Sequence, residues 1–291
     1  MTREKDGAWH DAMYNNRELV PEHPEHLRRW AGASADAMRS LHRELDVRYG
    51  GGANEHLDIF PAANPDAPVL VFIHGGYWRA LDKRDHLFIA PPFVKQGVCV
   101  VIPNYALAPA VTVPQIVMQM VHAVAWTWRH VARHGGDPNR ITVAGHSAGG
   151  QLAAMMLSCL WRVYGRDLPA DVVKGALSIS GLHDLDPVMR APFLQSTLQL
   201  TRDQVRKASP ALLPSPSSGK LYTVCGADES VEFHRQNQLI RDAWGQERVP
   251  VCELLPGRNH FTALDALVEP EHRLHQQALE LIGISLSCRT R

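Results

Sequence analysis

The stretch Arg140-Ile-Thr-Val-Ala-Gly-His-Ser-Ala-Gly-Gly-Gln-Leu-Ala-Ala154 decides the fold. Its first half is a short apolar run with β-branched residues, and from Gly150 onward it becomes an apolar stretch of helical length. A strand therefore runs straight into a helix through Gly145-His146-Ser147-Ala148-Gly149. That context, strand before and helix after a G-x-S-x-G, is the mark of a nucleophile elbow. A serine at so tight a turn takes strained backbone angles, and glycines two positions either side let neighbouring backbone approach without side-chain collision. The hydroxyl is then forced out above the sheet.

Working outward, Pro68 to Gly75 holds a continuous apolar run, Val-Leu-Val-Phe-Ile, bounded by proline and glycine. It is too short for a helix and apolar on both faces, as a central parallel strand should be. Residues 98–104 repeat that signature. Between them, 82–96 is expected to be helical in part, with Asp85 near its start, Gly97 at its end and Pro91-Pro92 breaking or kinking it. From 114 to 134, Val117, Met120, Val121, Val124, Trp128 and Val131 fall on one helical face. Further strands are read over 172–181, 220–227 and 250–258, with helices over 229–244 and from the last strand to about Ile284. Residues 41–48 and 55–60 flank Gly50-Gly51-Gly52-Ala53-Asn54, which predicts an antiparallel opening hairpin. The alternation implies one α/β domain over 1–291, with a mostly parallel sheet and helices on both faces. Two segments stand outside it: an N-terminal extension, 1–40, and a proline-rich insertion, 184–218, expected to cap the strand ends.

Composition narrows the function. Of 291 residues 45% are hydrophobic and 21% charged, enough for a substantial core. Thirty Lys+Arg balance thirty Asp+Glu, so no net field gathers polyanions and nucleic acid is not an expected partner. Apolar runs such as Val69–Ile73 are far below the roughly 20 residues a bilayer requires, so no membrane span is expected. The charged N-terminal stretch has no apolar core with a small-residue cleavage site, which predicts a cytoplasmic protein. Cys99, Cys159, Cys225 and Cys252 sit in apolar settings without regular spacing and read as reduced packing residues. No CxxC or HExxH occurs, and His130 with His134 reads as a solvated helix end. Neither a metal nor an organic cofactor is expected.

A serine needs a base to take its proton and a third group to orient that base. In hydrolases with this elbow the chain order is Ser, then Asp or Glu, then His. Asp228 closes the 220–227 strand and His260 follows the next one, so both lie on loops at the C-terminal edge of the sheet, where open α/β folds place their sites. Asp228 is the expected acid, Asp184 its rival, and Glu229 reads as a first-turn helix residue suited to the positive end of the dipole. The oxyanion produced by attack on a carbonyl needs backbone donors. Ala148 N–H supplies one, and Gly75 and Gly76 of His74-Gly-Gly-Tyr-Trp78 supply the others.

With these residues in hand, the chain resembles the α/β-hydrolase superfamily and, within it, the kynurenine formamidase (arylformamidase) branch. The likeness rests on His74-Gly-Gly-Tyr-Trp78, Gly145-His-Ser-Ala-Gly-Gly150, Gly226-Ala-Asp-Glu-Ser230 followed by Phe233-His-x-Gln236, and Tyr14-Asn-Asn-Arg17 leading to Val20-Pro21. It extends from about Tyr14 to the last helix. The resemblance implies an α/β-hydrolase fold, with Ser147 as nucleophile, Asp228 and His260 as its partners, and hydrolysis of N-formyl-L-kynurenine through a formyl-enzyme. Tyr77, Trp78 and His146 are the candidates for the wall of an aryl pocket. Relatives with the same loop include carboxylesterases for small esters, so an esterase for oxo-acid or aromatic-pathway esters is the alternative. A non-catalytic receptor of a small ligand on this fold would have no use for three triad members. No residue stands out as a necessary binder of an amino-acid carboxylate: Arg79, Arg190 and Arg202 are the guesses, set against the ordinary reading of arginines as solvated surface. The expected partner is a small-molecule substrate, and a homodimer is the ordinary expectation for an enzyme of this size.

Overall fold

The computed structural model describes residues 5–284. Eight strands form one sheet in the order β1-β2-β4-β3-β5-β6-β7-β8, namely β1 Glu44–Arg48, β2 His56–Phe60, β3 Ala67–Ile73, β4 Cys99–Pro103, β5 Gly136–His146, β6 Val173–Ile179, β7 Lys220–Gly226 and β8 Val251–Leu255. β1 pairs with β2, and β2 with β4, antiparallel; every other pair is parallel. This is the α/β-hydrolase architecture expected from the sequence. The chain leaves β3 for β4 on one side and β5 for β6 on the other, so the loops after β3 and β5 diverge. A crevice opens between them, as it must where strand order reverses.

The unbroken apolar run of β3 follows from burial on both faces. Val69, Val71 and Ile73 join one core cluster, with Val143 and Leu152; Leu70 and Phe72 join the other, with Ala144 and Leu264. The helix Val113–His130 packs on the first face through Ile116, Met120 and Val124, and its start is fixed by a capping box between Thr112 and Gln115.

Three elements depart from expectation in informative ways. Residues 83–89 form a 3₁₀ helix, and Pro91-Pro92 open an α turn, Ala90–Val94, instead of breaking one. Their missing N–H groups fall in a first turn, where no intrahelical partner exists. The last helix is two helices, Thr262–Val268 and Arg273–Ile282, because Glu269 precedes Pro270 and takes extended backbone angles. The helix read over 229–244 begins at Val231, with Ser230 at its N-cap.

The two segments outside the wound pattern meet. Residues 5–40 fold into helices Gly7–Tyr14, Asn16–Leu19 and His23–Ser40, and 184–218 contributes the short helices Asp186–Met189, Pro192–Leu198 and Arg202–Ala208. Phe193 N–H donates to Asp11 across that junction, and Trp30 Nε1 donates to Asp265 at 2.8 Å. Among the described residues no helix is long and apolar enough to cross a membrane, and no group of three His, Cys, Asp or Glu could hold a metal ion.

Candidate active site

The turn after β5 carries Ser147 with φ 56° and ψ −119°, a left-handed conformation that a side-chain-bearing residue holds only when its surroundings force it. Those surroundings are backbone. A Cβ added at Gly145 would stand 2.1 Å from the Gly149 carbonyl oxygen, so the crossing of strand and helix leaves room for glycine alone. Ser147 N–H donates to the Ile179 carbonyl at 2.8 Å and fastens the elbow to β6. The hydroxyl faces a cavity of about 270 Å³ that is also lined by His146 and His260.

His260 Nδ1 lies 2.7 Å from Glu229 Oε2. The carboxylate at the imidazole is therefore that of Glu229, not Asp228. The reason is the geometry of the turn after β7. Glu229 N–H returns to the Gly226 carbonyl at 3.2 Å, closing residues 226–229 into a tight turn. Asp228 is thrown outward, exposed, while Glu229 folds back beneath. Its Oε1 accepts from Gly226 N–H at 2.7 Å and from Ser180 Oγ at 2.5 Å. With three donors the buried carboxylate is fully engaged, and a proton held on His260 Nδ1 leaves the Nε2 lone pair as the basic site. Asp184, the rival acid, accepts from Asp186 N–H and lies beside Arg235, away from the imidazole. The signal for Glu229 was present in the sequence as the alternative acid type at the adjacent position; only the turn decides between the two.

The loop after β3 approaches the serine from the other side. A Cβ at Gly75 would lie 2.8 Å from the His146 carbonyl oxygen and 3.1 Å from Ser147 Cβ, so glycine is what permits this contact. The N–H groups of Gly76 and Ala148 donate to no acceptor among the described residues. The loop is held under strain, with Tyr77, Trp78 and Leu81 at φ 49°, 55° and 71°. His74 anchors its base: its ring stacks on Tyr105 at 4.2 Å and its Nε2 lies 3.1 Å from Asn104 Oδ1. Burial keeps His74 below the usual imidazole range. Burial also depresses His146, with the neighbouring His260 charge adding to it, so His146 stays neutral while its Nε2 meets the His260 carbonyl at 2.8 Å.

Of the expected pocket residues, Tyr77 and His146 line the cavity and Trp78 does not. Trp78 is fully buried, with Nε1 donating to Gln151 at 3.1 Å. The aromatic wall comes instead from Trp30, Phe193 and Phe261, together with Tyr77. Tyr77 OH donates to the Tyr14 carbonyl at 2.6 Å and accepts from Asn16 Nδ2 at 3.3 Å, which draws the Tyr14-Asn-Asn-Arg17 segment over the site. Arg79 also lines the cavity, whereas Arg190 is exposed and paired with Asp186 and Arg202 is exposed.

A family model for the alpha/beta hydrolase fold matches residues 70–228. Among curated proteins, the kynurenine formamidase of Danio rerio is 30% identical over 262 residues, 87% of each chain. Esterase LipQ of Mycobacterium tuberculosis is 30% identical over 249 residues, covering 77% of this chain and 58% of its own. Among solved structures, a candidate thioesterase from Silicibacter sp. TM1040 superposes with a TM-score of 0.79 at 28% identity, covering 94% of this chain and 97% of that one.

Proposed function

Since the chain belongs to the α/β-hydrolase family and is an enzyme of that type, we propose that it is a serine hydrolase that cleaves N-formyl-L-kynurenine through a formyl-enzyme on Ser147. The observation that carries this reading is the convergence on one aromatic-walled cavity of a strained serine, an imidazole oriented by a buried carboxylate, and Gly76, whose N–H has no acceptor among the described residues. Similarity to kynurenine formamidases over most of the chain supports the substrate.

The chemistry follows from the groups. His260 Nε2 takes the Ser147 proton as Oγ attacks the formyl carbon, and the imidazolium is stabilised by Glu229. Charge on the carbonyl oxygen is met by the N–H groups of Ala148 and Gly76, with Gly75 setting the approach of the loop; removal of one such donor costs about 3–4 kcal/mol in known cases. His260 then protonates the departing aryl amine, and the same pair activates the water that releases formate. Ser147→Ala is expected to abolish turnover of p-nitrophenyl acetate and of N-formylkynurenine while the circular dichroism spectrum and melting temperature stay close to wild type. Retained turnover would remove the mechanism.

A carboxylesterase acting on small esters is the second reading, favoured by the similarity to LipQ and by a triad that serves ester and activated amide alike. Comparison of kcat/KM for N-formylkynurenine with a series of short methyl esters separates the two, since specificity is a ratio of those constants.

A further inference from the structure

The cavity beside Ser147 contains an imbalance of charge. Its walls include Arg17 and Arg79 and not one Asp or Glu. Both arginines come from the segments closest to the strained loop: Arg17 follows the two asparagines drawn over the site by Tyr77, and Arg79 lies two residues beyond Tyr77 itself.

Arg79 is anchored on one side only. Its Nη1 donates to the Phe193 carbonyl at 2.7 Å and to Thr197 Oγ1 at 3.2 Å, and its guanidinium lies 5.3 Å from the centre of the Phe193 ring. These contacts use the Nη1 hydrogens. The Nε and Nη2 hydrogens, which together form the edge that grips a carboxylate with two parallel hydrogen bonds, have no acceptor among the described residues. Arg17 has no ion-pair partner among the described residues either, and it is exposed, as a residue at the cavity mouth would be. Two cations brought together without an anion repel one another: burial first, and the Arg17 charge second, lower the Arg79 guanidinium from its ordinary value. An arrangement of this kind is relieved by a bound anion.

We propose that Arg17 and Arg79 form a carboxylate subsite, and that the enzyme selects substrates carrying a carboxylate on the part of the molecule away from the cleaved bond. The inference rests on the reading of Ser147 as the nucleophile and deepens it. Trp30, Phe193 and Phe261 would hold the apolar body between the carboxylate and the scissile carbonyl.

Two matched pairs of compounds test it. N-formyl-L-kynurenine is compared with its α-carboxamide, and 4-acetoxyphenylacetate with 4-acetoxyphenylacetamide, each pair differing by a single charge. In the wild type the acid member of each pair is expected to show kcat/KM about 10- to 100-fold above its amide, the scale of a charge-assisted hydrogen-bonded pair. Added salt should lower that preference. Arg79→Gln should bring the ratio close to unity, and Arg17→Gln, on an exposed side chain that folding does not require, should lower it severalfold. Because each ratio is internal to one preparation, partial loss of folded protein does not disturb it. Equal turnover of acid and amide in the wild type, or a ratio unmoved by both substitutions, overturns the subsite and leaves acyl transfer standing. Discrimination in the ester pair with no cleavage of either formamide keeps the subsite and overturns the kynurenine reading. Failure to cleave any of the four overturns both.

Discussion

The turn after β5 and the turn after β7 sit at the same edge of the same sheet and deliver Ser147 and the carboxylate that meets His260, yet they are specified in opposite ways. At the first, backbone decides: Gly145 is within 2.1 Å of the Gly149 carbonyl measured from where a Cβ would stand, so no other residue fits and the serine has only one place to be. At the second, side-chain reach decides: Asp228 and Glu229 are both acidic, both in the loop, and the turn hydrogen bond from Glu229 to Gly226 alone determines which one faces His260. A position fixed by excluded volume leaves a mark in the sequence. A position fixed by the direction of one turn does not.

The comparison is broken most sharply by exchanging the two acids. Glu229→Gln keeps the shape but offers an amide to His260 Nδ1, which permits the wrong tautomer. By analogy with the equivalent change in a serine protease, kcat should fall about 10³- to 10⁴-fold. Asp228→Asn, in the exposed position, should stay within about 2-fold of wild type. Steady-state kinetics on p-nitrophenyl acetate read both, and a large loss in the second variant with none in the first would restore Asp228 as the acid.

Gly145→Ala attacks the other turn. The clash is with backbone and cannot be relieved by a rotamer change, so a loss of about 3 kcal/mol or more of stability is expected. Urea denaturation would show it as a lower midpoint, and an unchanged midpoint would mean that the elbow is less tightly crossed than described.

The smallest effect concerns pH. Burial brings the imidazoles of His86, beside the loop after β3, and His183, in the loop after β6, down to about 3 from the ordinary 6.5. The unfolded chain takes up a proton on each near pH 6.5 that the folded chain refuses until about 3. Their contribution is thus complete above pH 6.5 and is lost as pH falls, at about 1 kcal/mol per pH unit for each ring. The melting temperature should drop between pH 7 and pH 5, and His86→Phe, in a site already bordered by Trp30, Phe72 and Phe88, should flatten that slope. An identical slope in the variant would contradict the assignment.

Much of the architecture was legible because its cause is local. The two-face burial of β3 writes an unbroken apolar run, and the one-sided packing of Val113–His130 writes a helical stripe. That Ser147 and His260 meet at one cavity was legible from order and loop position. What escaped were features decided by tertiary geometry. Trp78 reads as an aromatic wall, yet it is buried against Gln151, and Trp30, 117 residues before Ser147, carries no mark that it will line the cavity beside Ser147. Pro91-Pro92 reads as an interruption and proves to be a beginning, since proline marks only where a helix cannot continue.

The N-terminal arm is sewn to the rest of the molecule by bonds of very long reach. Tyr14 OH donates to Glu232 across 218 residues, and Trp30 to Asp265 across 235. Contacts of such separation form only after the intervening chain exists and has been brought home. This arm therefore docks only once the chain as far as Asp265 has been made and folded back, and until then the elbow lacks the Trp30 wall of its chamber.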